Sequence, residues 1–272
     1  MPKTGAANVF ATLPFDQIDG VAGFFVHEDF EQAALLADLV DGTGVTYDDA
    51  GNTLWHGAEV AGAAISNITI PVSVADHVGI IRLEVGDTSP AAGDAASLQF
   101  GASAVGVQDT YLPDSNGLYV ATVIRIADVS DTVVGFGLCG QDPVVANGSP
   151  ADLVELAFDP ADTANTDDAL FFARISDATV DTETILTEAL YVENDWVLLE
   201  IAVTDTHCSF RVTTEDISET VTMPATITVG LRPYYVVENV GSAEEVLDID
   251  LFHIRYLRRD ALVGTGSDWL GA

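Results

Sequence analysis

Basic residues are almost missing from this chain. Nine lysines and arginines stand against 43 aspartates and glutamates, only one of the nine is a lysine, Lys3, and the formal net charge is -34. A surface of that sign repels nucleic acid and anionic membranes, which removes both as direct partners. Cysteine is scarce too: Cys139 and Cys208 are too few for a disulfide framework and lie far apart in two apolar segments. They read as buried free thiols, with one bridge between neighbouring strands as the alternative. No apolar run approaches the roughly 18 residues that span a bilayer, and the first twenty residues lack the basic, apolar, small-residue order of a secretory signal. The chain is expected to be soluble as written. Chemistry-bearing motifs are missing as well. There is no Gly-x-Ser-x-Gly elbow, no Walker loop and no Cys-x-x-Cys, and His27, His56, His77, His207 and His253 fall at no zinc-binding spacing. No catalytic residue, cofactor-binding residue or metal ligand is assigned.

What is there is apolar and strand-like. At 48% hydrophobic residues over 272 positions the chain can bury a sizeable core. Runs bounded by turn residues recur at 66–74, 79–85, 118–129, 132–140, 152–159, 169–176, 196–203, 208–214, 225–237 and 246–257. About ten short strands without long helical patterns between them predict an all-β sandwich. In LYVATVIRIADV (118–129) both alternating sets are apolar, which places this strand at the centre of a sheet. In VLDIDLFHIRYL (246–257), strict alternation puts Leu247, Ile249, Leu251 and His253 on one face and Asp248 and Asp250 on the other, the pattern of a half-buried outer strand. EDFEQAALLADLV (28–40), ended by Asp41-Gly42, is the one helical pattern. GIIRLEVGDTSPAAGDAASLQFG (79–101) reads as a scaffold hairpin, with Gly86 and Gly93 supplying turn conformations and Asp87, Ser89 and Pro90 stiffening the loop.

The order of these segments is specific where no single one is. FFVHEDFE (24–31), GTG (42–44), Trp55, the 76–101 stretch, GLYVATVIRIADVSDTVVGFGLCG (117–140), NDWVLLEIAV (194–203), CSFRVTT (208–214), LRPYYVVEN (231–239) and LDIDLFHIRYLR (247–258) together resemble the concanavalin A-like jelly roll carried by structural proteins of tailed viruses. The resemblance implies a jelly-roll β-sandwich of two antiparallel sheets at 24–258, with an N-terminal arm at 1–23 and a C-terminal tail at 259–272. It also implies a virion location and a non-enzymatic role as a capsid decoration, cement or fibre protein, with a major capsid protein as partner. A carbohydrate-binding module of a capsid or tail fibre is the alternative, and a glycan-cleaving enzyme comes last.

Glucanases on this jelly roll carry acids in the pattern Glu, apolar, Asp, apolar, apolar, Glu. Glu155 and Asp159 are four apart, and Asp248 and Asp250 have no third acid after them, so these residues are expected to be solvated acids on outward strand faces. For a lectin-type site, Trp55, Tyr111 and Trp196 are the aromatic candidates, although Trp196 opens a core strand and fits packing better. The loop at 159–169, with Asp159, Asp162, Asn165, Asp167 and Asp168, offers oxygens to calcium but lacks an EF-hand framework and reads as a solvated turn.

Two features point to self-association. Apolar residues stand in both terminal segments: Phe10, Leu13 and Phe15, then Leu262, Val263, Trp269 and Leu270. Arg255, Arg258 and Arg259 gather much of the scarce basic charge. Arms docking on a neighbour are expected, in a homo-oligomer for which a trimer is the first choice by analogy with virion decorations. Scarce lysine with abundant Asp, Ala, Val and Thr matches proteins of salt-loving organisms or their viruses, and equally an acidic protein of a high-GC genome.

Overall fold

A computed structural model describes residues 23–28, 55–60, 67–69, 80–86, 90–100, 111–112, 117–140, 152–160, 170–177 and 181–257. Fifteen strands run in chain order: β1 (Gly23–Glu28), β2 (Trp55–Val60), β3 (Asn67–Thr69), β4 (Ile81–Val85), β5 (Ala95–Phe100), β6 (Leu118–Ile126), β7 (Thr132–Cys139), β8 (Asp152–Phe158), β9 (Leu170–Asp177), β10 (Asp181–Leu190), β11 (Val197–Val203), β12 (His207–Thr213), β13 (Ser218–Pro224), β14 (Arg232–Asn239) and β15 (Glu245–Leu257). They form two antiparallel sheets. The first has the order β13-β12-β11-β6-β15-β4-β3, with β1 also on β15; the second has the order β10-β9-β8-β7-β14-β5-β2. The molecule is the all-β jelly-roll sandwich that the sequence predicts, and no helix occurs among the described residues.

The alternation of the strands builds the core. In β12, Cys208, Phe210 and Val212 point inward while Ser209, Arg211 and Thr213 point out, which is the period of two written in HCSFRVT. Leu199, Ile124 and Phe252 of the first sheet meet Phe136, Leu156 and Tyr235 of the second. Phe158, Phe171 and Tyr191 close one end as a triangle with ring centroids 5.4, 5.9 and 5.9 Å apart. A polar link across the core is complete: the Tyr235 hydroxyl donates to Thr122 Oγ1 at 2.8 Å, and Thr122 donates to the Leu251 carbonyl at 2.7 Å. Strand β6 is central, between β11 and β15, as its doubly apolar pattern predicts.

Several expectations change. The 79–101 stretch is no hairpin: β4 pairs with β3 and β15 in the first sheet, whereas β5 pairs with β2 and β14 in the second, so residues 86–94 carry the chain across the sandwich. Gly86 and Gly93 do hold positive φ, 84° and 94°, and at Gly86 a Cβ would lie 2.9 Å from that of Pro90. Strand β15 is also no outer strand. It is flanked by β6 on one side and by β4 and β1 in succession on the other. Its register shifts between Ile249 and Leu251, a bulge that turns Phe252 and Ile254 inward and leaves Leu251 and His253 on the outward side with Asp248. The run at 225–237 contributes only its second half, to β14, whereas β10 and β13 come from polar stretches not read as strands. Apart from Glu28, which ends β1, the 28–40 helix lies outside the described residues. The same holds for residues 1–22 and 258–272, and so for the bulk of both arms.

Candidate functional site

Strand register lines up a polar row across the outward face of the second sheet. Gln99, Tyr234, Gly137, Glu155, Arg174 and Glu183 are successive cross-strand partners on β5, β14, β7, β8, β9 and β10. Gly137 leaves a gap, and through it the Tyr234 hydroxyl reaches past β7 to donate to Glu155. A Cβ at Gly137 would stand 2.2 Å from the Val154 carbonyl oxygen and 2.6 Å from the Glu155 Cα, so only glycine fits. The other Glu155 oxygen takes Arg174 at 2.8 Å, and Arg174 also bonds Glu183 at 2.7 Å. Glu155 has no exposed surface. Burial pushes its carboxyl up, against the opposing pull of Arg174 and Tyr234. Far from being a solvated strand acid, it is a buried strut with both oxygens engaged. Asp159, beyond the end of β8, is not brought to it.

The outward face of the first sheet repeats this economy of charge. Asp248, 1% exposed, sits between two arginines: it accepts from Arg82 at 2.7 and 3.1 Å and from Nε and Nη2 of Arg125. The Arg125 guanidinium lies 5.0 Å from the centre of the Trp196 ring, so Trp196 packs as expected. One strand pair further on, Glu200 accepts from the Tyr119 hydroxyl at 2.5 Å and from two Arg211 nitrogens. Burial pushes the Tyr119 phenol far up. These three side chains, with Ala202, Ser209 and Thr220, line a depression of about 180 Å³.

A larger trough, about 280 Å³, opens between the turn that joins β10 to β11 and the one that joins β12 to β13. Leu190, Val192 and Ile217 line it at 49, 59 and 43% exposure, beside the edge of Trp196. Its walls are fixed. The Tyr191 hydroxyl accepts from the Ile126 N–H at 2.7 Å and lies 2.8 Å from the Asp195 carbonyl. The Glu219 carboxylate accepts from the N–H groups of Thr187, Glu188 and Ala189 at 3.0, 2.7 and 3.0 Å, where β10 leaves its ladder with β9. Sequence reading found Trp196 but missed this trough, because the hairpin turn at 214–217 meets it only through the fold.

The remaining candidates scatter. Tyr111 makes an isolated bridge to Leu231, and Trp55 opens β2 at the edge of the second sheet. His207 is exposed and His253 is buried on the opposite side of the first sheet from the core. Apart from Asp159, the acidic loop at 159–169 falls almost wholly outside the described residues, and among the described residues no group of three His, Cys, Asp or Glu is placed to hold a metal.

No protein-family model matches the sequence, and no curated protein is significantly similar to it. Solved structures are. The winged bean acidic lectin complexed with methyl-α-D-galactose superposes with a TM-score of 0.53 at 8% identity, covering 88% of this chain and 100% of that one. Lectin II from Ulex europaeus gives 0.53 at 10%, covering 86% and 99%. The metal-free exoplasmic/lumenal domain of VIP36 gives 0.51 at 11%, covering 81% and 92%. At such identities the likeness shows the fold, a concanavalin A-like sandwich of the legume-lectin type.

Proposed function

We propose that this chain is a non-enzymatic structural protein of a virus particle, a capsid decoration or cement protein that acts through protein contacts. The observation that carries the non-enzymatic part is the state of the acids. Glu155, Asp248 and Glu200, three buried carboxylates on the sheet faces, are each held by arginine, two of them by a tyrosine hydroxyl as well. A glycosidase needs two carboxyls facing each other across a sugar, roughly 5 to 9.5 Å apart, with their oxygens open to substrate. The rigid trough with exposed aliphatic side chains supports contact as the mode of action. The order of segments along the chain supports a virus particle as its place, with a major capsid protein and other copies of the chain as partners. Quantitative mass spectrometry of purified particles tests this: many copies relative to the major capsid protein are expected, and absence from the particle overturns the reading.

A second reading, a carbohydrate-binding module of a capsid or tail fibre, is favoured by the Tyr119 depression. An aromatic ring, two hydroxyl side chains and an Arg211 guanidinium that is 41% exposed are groups suited to a single sugar ring. The lectin-type fold is compatible with it. Binding on a glycan array that is lost in Arg211→Ala supports this reading, and an array without signal removes it.

A further inference from the structure

We propose that the trough between the β10–β11 and β12–β13 turns receives the segment 258–272 of a second copy of this chain, in a head-to-tail contact. The inference rests on the contact-protein reading and names the contact. Glu188, Asp195, Glu215 and Asp216 rim the exposed aliphatic side chains of the trough. All four are exposed, and none is in an ion pair among the described residues. An apolar surface inside an acidic rim fits a segment that is both apolar and basic, because wetting and like-charge repulsion both disfavour leaving it bare.

Basic charge is so scarce here that the complement can be traced by elimination. Nine basic residues less Lys3 leaves eight arginines. Arg82, Arg125, Arg174 and Arg211 are bound to acids of their own sheets. Arg232 is 1% exposed, and Arg255 lies within β15 opposite Tyr119. Arg258 and Arg259 follow directly after β15, and Leu262, Val263, Trp269 and Leu270 follow them. This stretch alone joins a basic pair to an apolar set near its end, the composition the trough matches.

Strand direction decides that the donor is another copy. The last residues of β15 lie at one end of the first sheet along the strand axis, where Tyr256 pairs with Leu118 and Leu118 with Val203. The trough is at the other end of β11, beside Trp196. From Val197 to Val203 the strand covers about 20 Å at about 3.3 Å per residue. Arg258 and Arg259 come one and two residues after β15 in sequence, and two residues of chain reach at most about 7 Å, short of the roughly 20 Å to the rim of their own trough. A second molecule shifted along the strand axis brings them to it. Such a contact uses two different patches, so it closes into a ring, a trimer included, or continues as a filament.

Light scattering on the full-length protein and on full-length variants tests this. The parent is expected above the 28.6 kDa of one chain. Val192→Asp in the trough and Trp269→Asp in the tail are each expected to return the mass to one chain, with the β signal in circular dichroism retained. An equal mixture of these two variants is expected to form a dimer and nothing larger, since each contributes one intact half. The charge reversal Arg258→Glu with Arg259→Glu is expected to release single chains, and adding Glu215→Arg with Asp216→Arg to restore the parent mass. A monomeric parent, a mass indifferent to both single variants, or a mixture that stays monomeric overturns the proposal. A monomeric parent that is nonetheless abundant on particles sinks this contact and leaves the contact-protein reading standing.

Discussion

Glu245 shows how a single residue carries the cost of acidity in this fold. It has no exposed surface, donation from the Thr132 hydroxyl satisfies one oxygen, and the other has no partner among the described residues. Burial pushes its carboxyl up; the Thr132 bond opposes the shift, and Asp128, Asp131 and Glu244 add to it. Because the folded value lies above the unfolded one, the stability this group contributes is complete below the unfolded value and is lost as pH rises through the folded one. Glu245→Gln is therefore expected to melt above the parent at pH 7, with the gap closing near about pH 4; a gap that widens on acidification contradicts the assignment. Gly137 makes the complementary point about size. Gly137→Ala drives a methyl into the β8 backbone and parts Tyr234 from Glu155, and about 3 kcal/mol of lost stability is expected in a denaturant titration. Neither residue was legible in the sequence. Glu155 was visible as an acid in an apolar strand, but its partners lie 19 and 79 positions away, and spacing along one strand carries no trace of a row that runs across six.

At the scale of elements, Asp248 ties three strands together by holding Arg82 of β4 and Arg125 of β6 from its place on β15. Asp248→Ala takes the shared carboxylate from two partly covered guanidinium groups, leaving Arg82 with Glu84 and Arg125 on Trp196, and a loss of about 1 to 3 kcal/mol is expected, read as a fall in Tm. Glu219 has the corresponding role between sheets. It lies on β13 of the first sheet and satisfies three N–H groups of β10 in the second, so Glu219→Ala is expected to cost about 1 to 3 kcal/mol. It should also speed hydrogen exchange at residues 187–189 before the core exchanges. Protection unchanged at those amides counts against this. The same two elements explain what the sequence showed and what it hid. Strands such as β6, β7 and β11 are covered on most of both sides and stand out as apolar runs. Strands β10 and β13 are edge strands rich in Thr and Glu, DTETILTEAL and SETVTMP, whose single buried side leaves too faint an alternation to distinguish them from loops. The β15 bulge reverses the alternation after Ile249, and a strict period of two assigned the wrong residues to each side beyond it.

At the scale of the molecule, the net charge of -34 sets the response to salt. Screening contracts from about 30 Å at 0.01 M to about 3 Å at 1 M, so the melting temperature is expected to rise across that range in the presence of a chelator. A flat or falling curve contradicts it. The sandwich can carry such charge because the buried acids Glu155, Asp248 and Glu200 are held by arginines, while acids such as Glu193, Glu215 and Asp216 stand out in water. The sandwich class itself was legible from strand number and order. Which strands share a sheet was not: a turn rich in Gly, Ser and Pro serves equally well to fold a hairpin and to cross between layers, as residues 86–94 do.

Each sheet also contains one thiol. Cys139 lies on the outward side of β7 against Tyr234 and Val236, whereas Cys208 faces the interior from β12, and neither is bonded to another sulfur. Burial pushes the Cys208 thiol up to about 12, which keeps it inert as well as covered. The chain thus contains a separate clock for each layer. Under a brief pulse of alkylating reagent, peptide-resolved labelling times the opening of one sheet against the other without any engineered probe. A sandwich that comes apart in a single step labels both at one rate, and a lag of either sulfur identifies the layer that persists.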